Sequence, residues 1–179
     1  MNRRTLLCAL VAAFASVAGC ATPLVTTNDG RVASQATLTF VLVRHAEKAT
    51  DDPKDPSLSD VGRARAARLA ASFDGMPVTA VYATGYRRTQ ATAQPTAEAH
   101  GLPVRTYEAG MPADTFAATL RTTHASGTVL VVGHSNTVPA IASALCGCAV
   151  APMRDDEFDR RITVRIVADG AATLEETRD

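Results

Sequence analysis

With 179 residues the chain is long enough to bury a core of its own without a metal or a crosslinked scaffold. Its 18 Lys and Arg balance 18 Asp and Glu, which leaves no basic footprint for a nucleic-acid partner. Four cysteines are too few and too clustered to be a disulfide framework, and the abundance of alanine favours closely packed helices.

The chain opens with a basic Met1-Asn2-Arg3-Arg4, followed by an almost wholly apolar run over residues 6–17 and the small residues Val17-Ala18-Gly19 just ahead of Cys20. That order is the pattern of a secretory signal peptide. At roughly a dozen residues the apolar run is too short to span a bilayer core of about 30 Å. The ending resembles a bacterial lipoprotein signal, in which the cysteine, here Cys20, is acylated and becomes the first residue of the mature protein. Residues 1–20 are therefore expected to be a leader, with the product exported, periplasmic and attached to the membrane by lipid alone. Removal of Arg3 and Arg4 leaves 16 basic against 18 acidic residues, so any attraction for phosphate must come from local placement. Residues 21–37, rich in Thr, Ser, Gly, Asn and Asp, read as a flexible tether, and residues 38–179 as the folded domain.

The first strand is expected over residues 38–43, an apolar run rich in β-branched and aromatic residues that stops at Arg44 and His45. An acidic, proline-containing loop follows. Ser59 then caps a helix whose inner face is Gly62, Ala66, Leu69, Ala70 and Phe73 and whose arginines are solvated. A second strand over residues 78–83 leads through Tyr86-Arg87-Arg88 into a helix that runs to about His100, is stopped by Gly101 and Pro103, and should be kinked or shifted in register by Pro95. Arg88 stands near that helix's amino terminus, where free N–H groups already favour an anion.

Residues 102–107 make a short third strand ending at Glu108, and Pro112 opens a helix with Phe116, Ala117 and Leu120 on one face. The fourth run, residues 128–133, is the most apolar and reads as a central parallel strand ending at His134. A helix with Val138, Ile141, Ala142 and Leu145 in register follows, then Cys146 and Cys148, which in an oxidising compartment can pair. The charged stretch over residues 154–161 reads as a solvated loop, with a role at the substrate entrance as the alternative. Residues 162–167 and 171–175 flank Asp169-Gly170 as a hairpin at the sheet edge.

Strands alternating with helices predict a three-layer α/β/α fold with a mostly parallel sheet. In such a sheet the carboxyl ends share one edge, where ligands bind, so Arg44, His45, Arg88, Glu108 and His134 are brought together from distant positions. Two arginines and two histidines without a cage of carboxylates read as a phosphate clamp and not as a metal site.

Three segments, Val43-Arg44-His45-Ala46-Glu47-Lys48, Tyr86-Arg87-Arg88-Thr89-Gln90-Ala91-Thr92-Ala93 and Val132-Gly133-His134-Ser135-Asn136, resemble in order the signatures of the histidine phosphatase superfamily, also called phosphoglycerate mutase-like. Residues 58–65 resemble its first helix. The resemblance implies that His45 is the phosphorylated nucleophile, that Arg44, Arg88 and His134 form the phosphate pocket, and that Arg88 rather than Arg87 is the pocket arginine. Ala46 and Ser135 replace glycines often found there, and with the short loop over residues 48–57 they look more like the family's compact phosphatases than its mutases. Ser135 also stands where some branches carry an aspartate. The proton donor implied is then Glu108, with Glu47 and Asp51 as rivals.

The chemistry implied is attack of a neutral imidazole on phosphorus, with the guanidinium groups and a protonated His134 offsetting the charge of the phosphoryl oxygens. It needs no metal or other cofactor. The expected function is hydrolysis of a small phosphomonoester through a phosphohistidine; the alternatives are a phosphohistidine-protein phosphatase or mutase of the same family, or a non-catalytic lipoprotein that binds a phosphorylated ligand. Composition and motifs leave the oligomeric state and the physiological substrate open.

Overall fold

The computed structural model describes residues 37–178, so the leader, Cys20 and residues 21–36 of the tether lie outside the described residues. Strand β1 (Leu38–Arg44) sits in the middle of a six-stranded sheet with β2 (Val78–Thr84), β3 (Val104–Tyr107), β4 (Gly127–Gly133), β5 (Arg160–Ile166) and β6 (Ala172–Arg178), in the order β3-β2-β4-β1-β5-β6. The first four strands by sequence run parallel, with β4 between β2 and β1, while β5 and β6 form an antiparallel hairpin beside β1. The sheet is thus mixed, and its parallel part is the one that carries polar residues at strand ends.

Side-chain alternation builds two cores. On β1 and β4, Phe40, Leu42, Val129 and Val131 point to one face, where they pack with Phe116, Leu120, Ile141 and Leu145. Val41, Val43, Leu130 and Val132 point to the other, against Leu69, Phe73, Ala93 and Ala97. A strand buried on both faces needs apolar residues at every position, which is why these two runs lack polar interruptions. Helices α1 (Asp60–Ala71) and α2 (Arg87–Ala99) cover one face; α3 (Ala113–Thr123) and α4 (Val138–Cys146) cover the other.

Local chemistry accounts for the helix ends. The Ser59 hydroxyl accepts from the Gly62 N–H at 3.1 Å, satisfying one of the free donors at the start of α1. Gly147, at φ 66°, ends α4 in the left-handed conformation. Pro95, expected to disturb α2, is accommodated within one continuous helix from Arg87 to Ala99. Burial of Thr92, Ala93, Thr96 and Ala97 around it holds that helix on the sheet, a tertiary effect that local propensity does not contain. Cys146 and Cys148 are joined in a disulfide.

One close approach matters for the site. A Cβ on Gly62 would lie 2.3 Å from the carbonyl oxygen of Glu47, so α1 rests directly on the backbone that leaves β1. Ser59 N–H donates to that same carbonyl at 2.9 Å. The segment just after His45 is thereby clamped from outside the pocket.

Candidate active site

His45 follows the last residue of β1, and its N–H donates to the Gly133 carbonyl at 2.9 Å, which ties it to the end of β4. His134 follows the last residue of β4. Because β1 and β4 are parallel neighbours in register from Leu38–Gly127 to Arg44–Gly133, the two imidazoles emerge side by side, with centroids 5.5 Å apart. They border a pocket of about 330 Å³ with Arg44, Arg88, Lys48 and Asn136.

The ring of His45 has a defined tautomer. Its Nδ1 lies 2.8 Å from the Ala46 carbonyl oxygen, which can only accept, so Nδ1 carries the proton and Nε2 keeps its lone pair. Burial, with the positive charges of Arg44 and Arg88 adding to it, lowers the His45 pKa to about 4 against the opposing pull of the Ala46 bond. His134 is lowered to about 4 as well, first by burial and then by Arg88 and Arg44. A protonated His134 is therefore not the state of the protein alone: both rings are neutral near pH 7, and a phosphate dianion would have to bring the opposing charge that raises His134.

Each arginine stands on an aromatic ring. The Arg44 guanidinium lies 4.3 Å from the centroid of Phe158, and that of Arg88 4.3 Å from the centroid of Tyr86, stacking that fixes the planar fork. Arg44 donates to the Arg154 carbonyl at 3.2 Å and lies 3.8 Å from Asp155, while Arg88 lies 3.5 Å from Asp55. The Nε atoms of both are buried without a hydrogen-bond partner, so each guanidinium retains unused donor capacity. Arg87, the other half of the double arginine, is exposed and turned to the Asp55 carbonyl and Asp51.

The three candidate acids are separated by their surroundings. Glu47 is held by Arg65 through bonds of 2.7 and 3.1 Å, which keeps its carboxyl below the usual range, and the pair lines a hollow other than the histidine pocket. Asp51 accepts from the Ser57 N–H at 3.0 Å and pairs with Arg87 on the surface. Glu108 follows β3 and is exposed; it lines an adjoining hollow with Lys54 and Gly110, separated from the histidine pocket by the shared Tyr86 and Ala109.

Several residues near the pocket were not singled out from the sequence. Phe158 and Asp155 belong to the charged loop before β5, where Asp155 accepts from the Ser135 hydroxyl at 2.9 Å, so this loop packs against the pocket residues Arg44 and Ser135. A lone aromatic within a charged run was the available signal. Thr84, the final residue of β2, is buried with its hydroxyl 2.9 Å from His134 Nε2, and its signal was a hydroxyl closing an apolar strand.

Neutral imidazoles flanked by stacked, under-bonded guanidiniums at the carboxyl edge of a doubly covered sheet form an arrangement chemically able to hold a small oxyanion beside a nitrogen lone pair. The family model of the histidine phosphatase superfamily (branch 1) matches residues 40–110. The fold is similar to that of a putative alpha-ribazole-5'-P phosphatase from Escherichia coli, with a TM-score of 0.64, 17% identity, and coverage of 79% of this chain and 96% of that one. It is similar also to the protein histidine phosphatase SixA solved with tungstate (0.61, 18% identity, 78% and 96% covered) and to a putative phosphohistidine phosphatase SixA from Nakamurella multipartitia (0.54, 24% identity, 79% and 96% covered). No curated protein matches the chain.

Proposed function

We propose that the protein is a phosphatase that hydrolyses small phosphomonoesters through a phosphohistidine on His45. The observation that carries this reading is the His45 ring itself: Nδ1 is engaged by a backbone carbonyl, Nε2 keeps its lone pair, and the pKa is lowered to about 4 beside two guanidiniums. In the first step Nε2 bonds to phosphorus, the bond from phosphorus to the ester oxygen breaks, and the departing alkoxide takes a proton from Glu108. Water then attacks phosphorus, the N–P bond breaks, and Glu108 recovers a proton from that water. Arg44 and Arg88 offset the charge on the phosphoryl oxygens throughout, and His134 joins them once protonated. The hollow that contains Glu108 adjoins the pocket and is where the leaving group would lie.

The test is hydrolysis of an activated aryl phosphate by the mature protein, with acid-quenched trapping of phosphohistidine. His45→Ala should abolish both while preserving the far-UV spectrum; activity within tenfold of wild type would reject His45 as nucleophile. A second reading, hydrolysis of phosphohistidine on a protein, is favoured by the similarity in fold to protein histidine phosphatases. A phosphohistidine-bearing protein turned over faster than any phosphomonoester would select it.

We further propose export and anchoring through an acylated Cys20, supported by the basic, apolar and small-residue order of residues 1–20. Labelled fatty acid should enter the wild-type protein and not Cys20→Ala; equal labelling would refute this.

A further inference from the structure

The pocket's second histidine is wired to the interior by a directed chain of hydroxyls. His134 Nε2 lies 2.9 Å from Thr84 Oγ1, and Thr84 Oγ1 lies 2.9 Å from Thr89 Oγ1. Thr89 Oγ1 in turn lies 2.9 Å from the Thr84 carbonyl and 2.8 Å from the Tyr86 carbonyl. Both threonines are fully buried, so water does not supply the missing hydrogens. Carbonyl oxygens only accept, so the one Thr89 proton is shared between the two carbonyls, since turning it to Thr84 would leave both of these short oxygen–oxygen contacts without a hydrogen. Thr84 must then give its own to Thr89, and what remains on Thr84 is a lone pair, which requires a proton on His134 Nε2. Among the described residues His134 Nδ1 has no hydrogen-bond partner, so the nitrogen left for a ligand bears a lone pair.

Resting on the phosphatase reading of this pocket, we infer that Thr84 is a positioning residue that holds His134 as its Nε2–H tautomer, so that a phosphoryl group is accepted only together with one proton, placed between its oxygen and Nδ1. A phosphate dianion facing the Nδ1 lone pair would be repelled; with one added proton the ring becomes a donor. Other charged or titratable groups around the ring are Arg44 and His45 at the end of β1, Arg88 and Tyr86 at the start of α2, Lys48 on the loop after β1, and Asp155 bound to the neighbouring Ser135. The nearby cations oppose protonation of the ring in the free protein. The proton therefore arrives with the ligand.

Two measurements test this. In the free wild-type protein, nitrogen NMR of His134 should show a neutral ring protonated at Nε2; protonation at Nδ1 would overturn the inference. Calorimetry of inorganic phosphate binding at pH 8, repeated in buffers of different ionisation heat, should count about one proton taken up per phosphate, since free inorganic phosphate is mostly the dianion at that pH. Thr84→Val frees the ring to put its proton on Nδ1, so uptake should fall at least threefold, whereas Thr84→Ser should retain it. Wild-type uptake in Thr84→Val, or its loss in Thr84→Ser, would overturn the inference. None of these readouts needs turnover: a protein that shows the tautomer and the uptake but hydrolyses no phosphoester would refute the catalytic reading alone.

Discussion

The imidazole rings of His45 and His134 meet edge to face, with planes 66° apart, and each is held by a different kind of anchor: His45 by its own next carbonyl, His134 by the side chain of Thr84. Both are held neutral down to about pH 4, whereas unfolded histidines titrate near 6.5. Between those values the unfolded chain binds more protons, so folding stability rises with pH. Their contribution is fully present above about pH 6.5 and is lost as pH falls toward 4, of the order of 3 kcal/mol for the buried His45. Urea midpoints measured from pH 7 to 4.5 should fall steadily, and less so in His45→Asn. A flat profile would show that the rings titrate normally in the fold.

Arg88 stacks on Tyr86 at the pocket wall, and Arg87 points to surface acids. Arg88→Ala should lower kcat/KM for an aryl phosphate by about a hundredfold, as loss of a charge-stabilising donor does. Arg87→Ala should change it by less than about threefold, in keeping with an exposed ion pair. Comparable losses in the two variants would place the phosphate elsewhere.

Glu108 lies in a hollow that adjoins the histidine pocket, while Glu47 and Asp51 are occupied by Arg65 and by Ser57 and Arg87. Glu108→Gln should therefore slow alkyl phosphates much more than aryl phosphates, whose leaving oxygens need little help from an acid. A uniform loss across both would remove Glu108 as proton donor.

Gly62 occupies the inner face of α1, where helix propensity taken alone predicts that alanine stabilises by about 1 kcal/mol. The contact decides otherwise, because the added Cβ would lie 2.3 Å from the Glu47 carbonyl, a backbone atom that cannot swing aside. Gly62→Ala should cost about 1–3 kcal/mol, read as a lowered Tm, and should disturb the segment after His45. A raised Tm would show that helix and loop separate at little cost.

Much of the architecture was legible along the chain because each element announces itself locally. Apolar runs from Phe40 to Val43 and from Val129 to Val132 mark strands buried on both faces, Ser59 marks a helix start, and Asp169-Gly170 marks a hairpin. Polar residues at the ends of those runs marked the pocket's edge, since a strand that stops at Arg44-His45 or at His134 has delivered them out of the core. Other features belong to space and leave weak traces in sequence. Phe158 and Asp155 reach Arg44 from a loop more than a hundred residues away, and nothing local in Asp155-Asp156-Glu157-Phe158 says which arginine it will meet. The same holds for the separation of Glu108 from Glu47, which depends on where Arg65 falls on α1, and for the accommodation of Pro95.

By itself the sequence determined which side chains stand at the strand ends and that two imidazoles and two guanidiniums are available for one anion, because period, capping and strand termination are properties of short segments. Only the tertiary structure decided the tautomers of those imidazoles, the aromatic floors beneath the guanidiniums and the side of the pocket from which an acid can approach. Hydrogen-bond direction and burial arise between segments, so they exist only once the segments are packed.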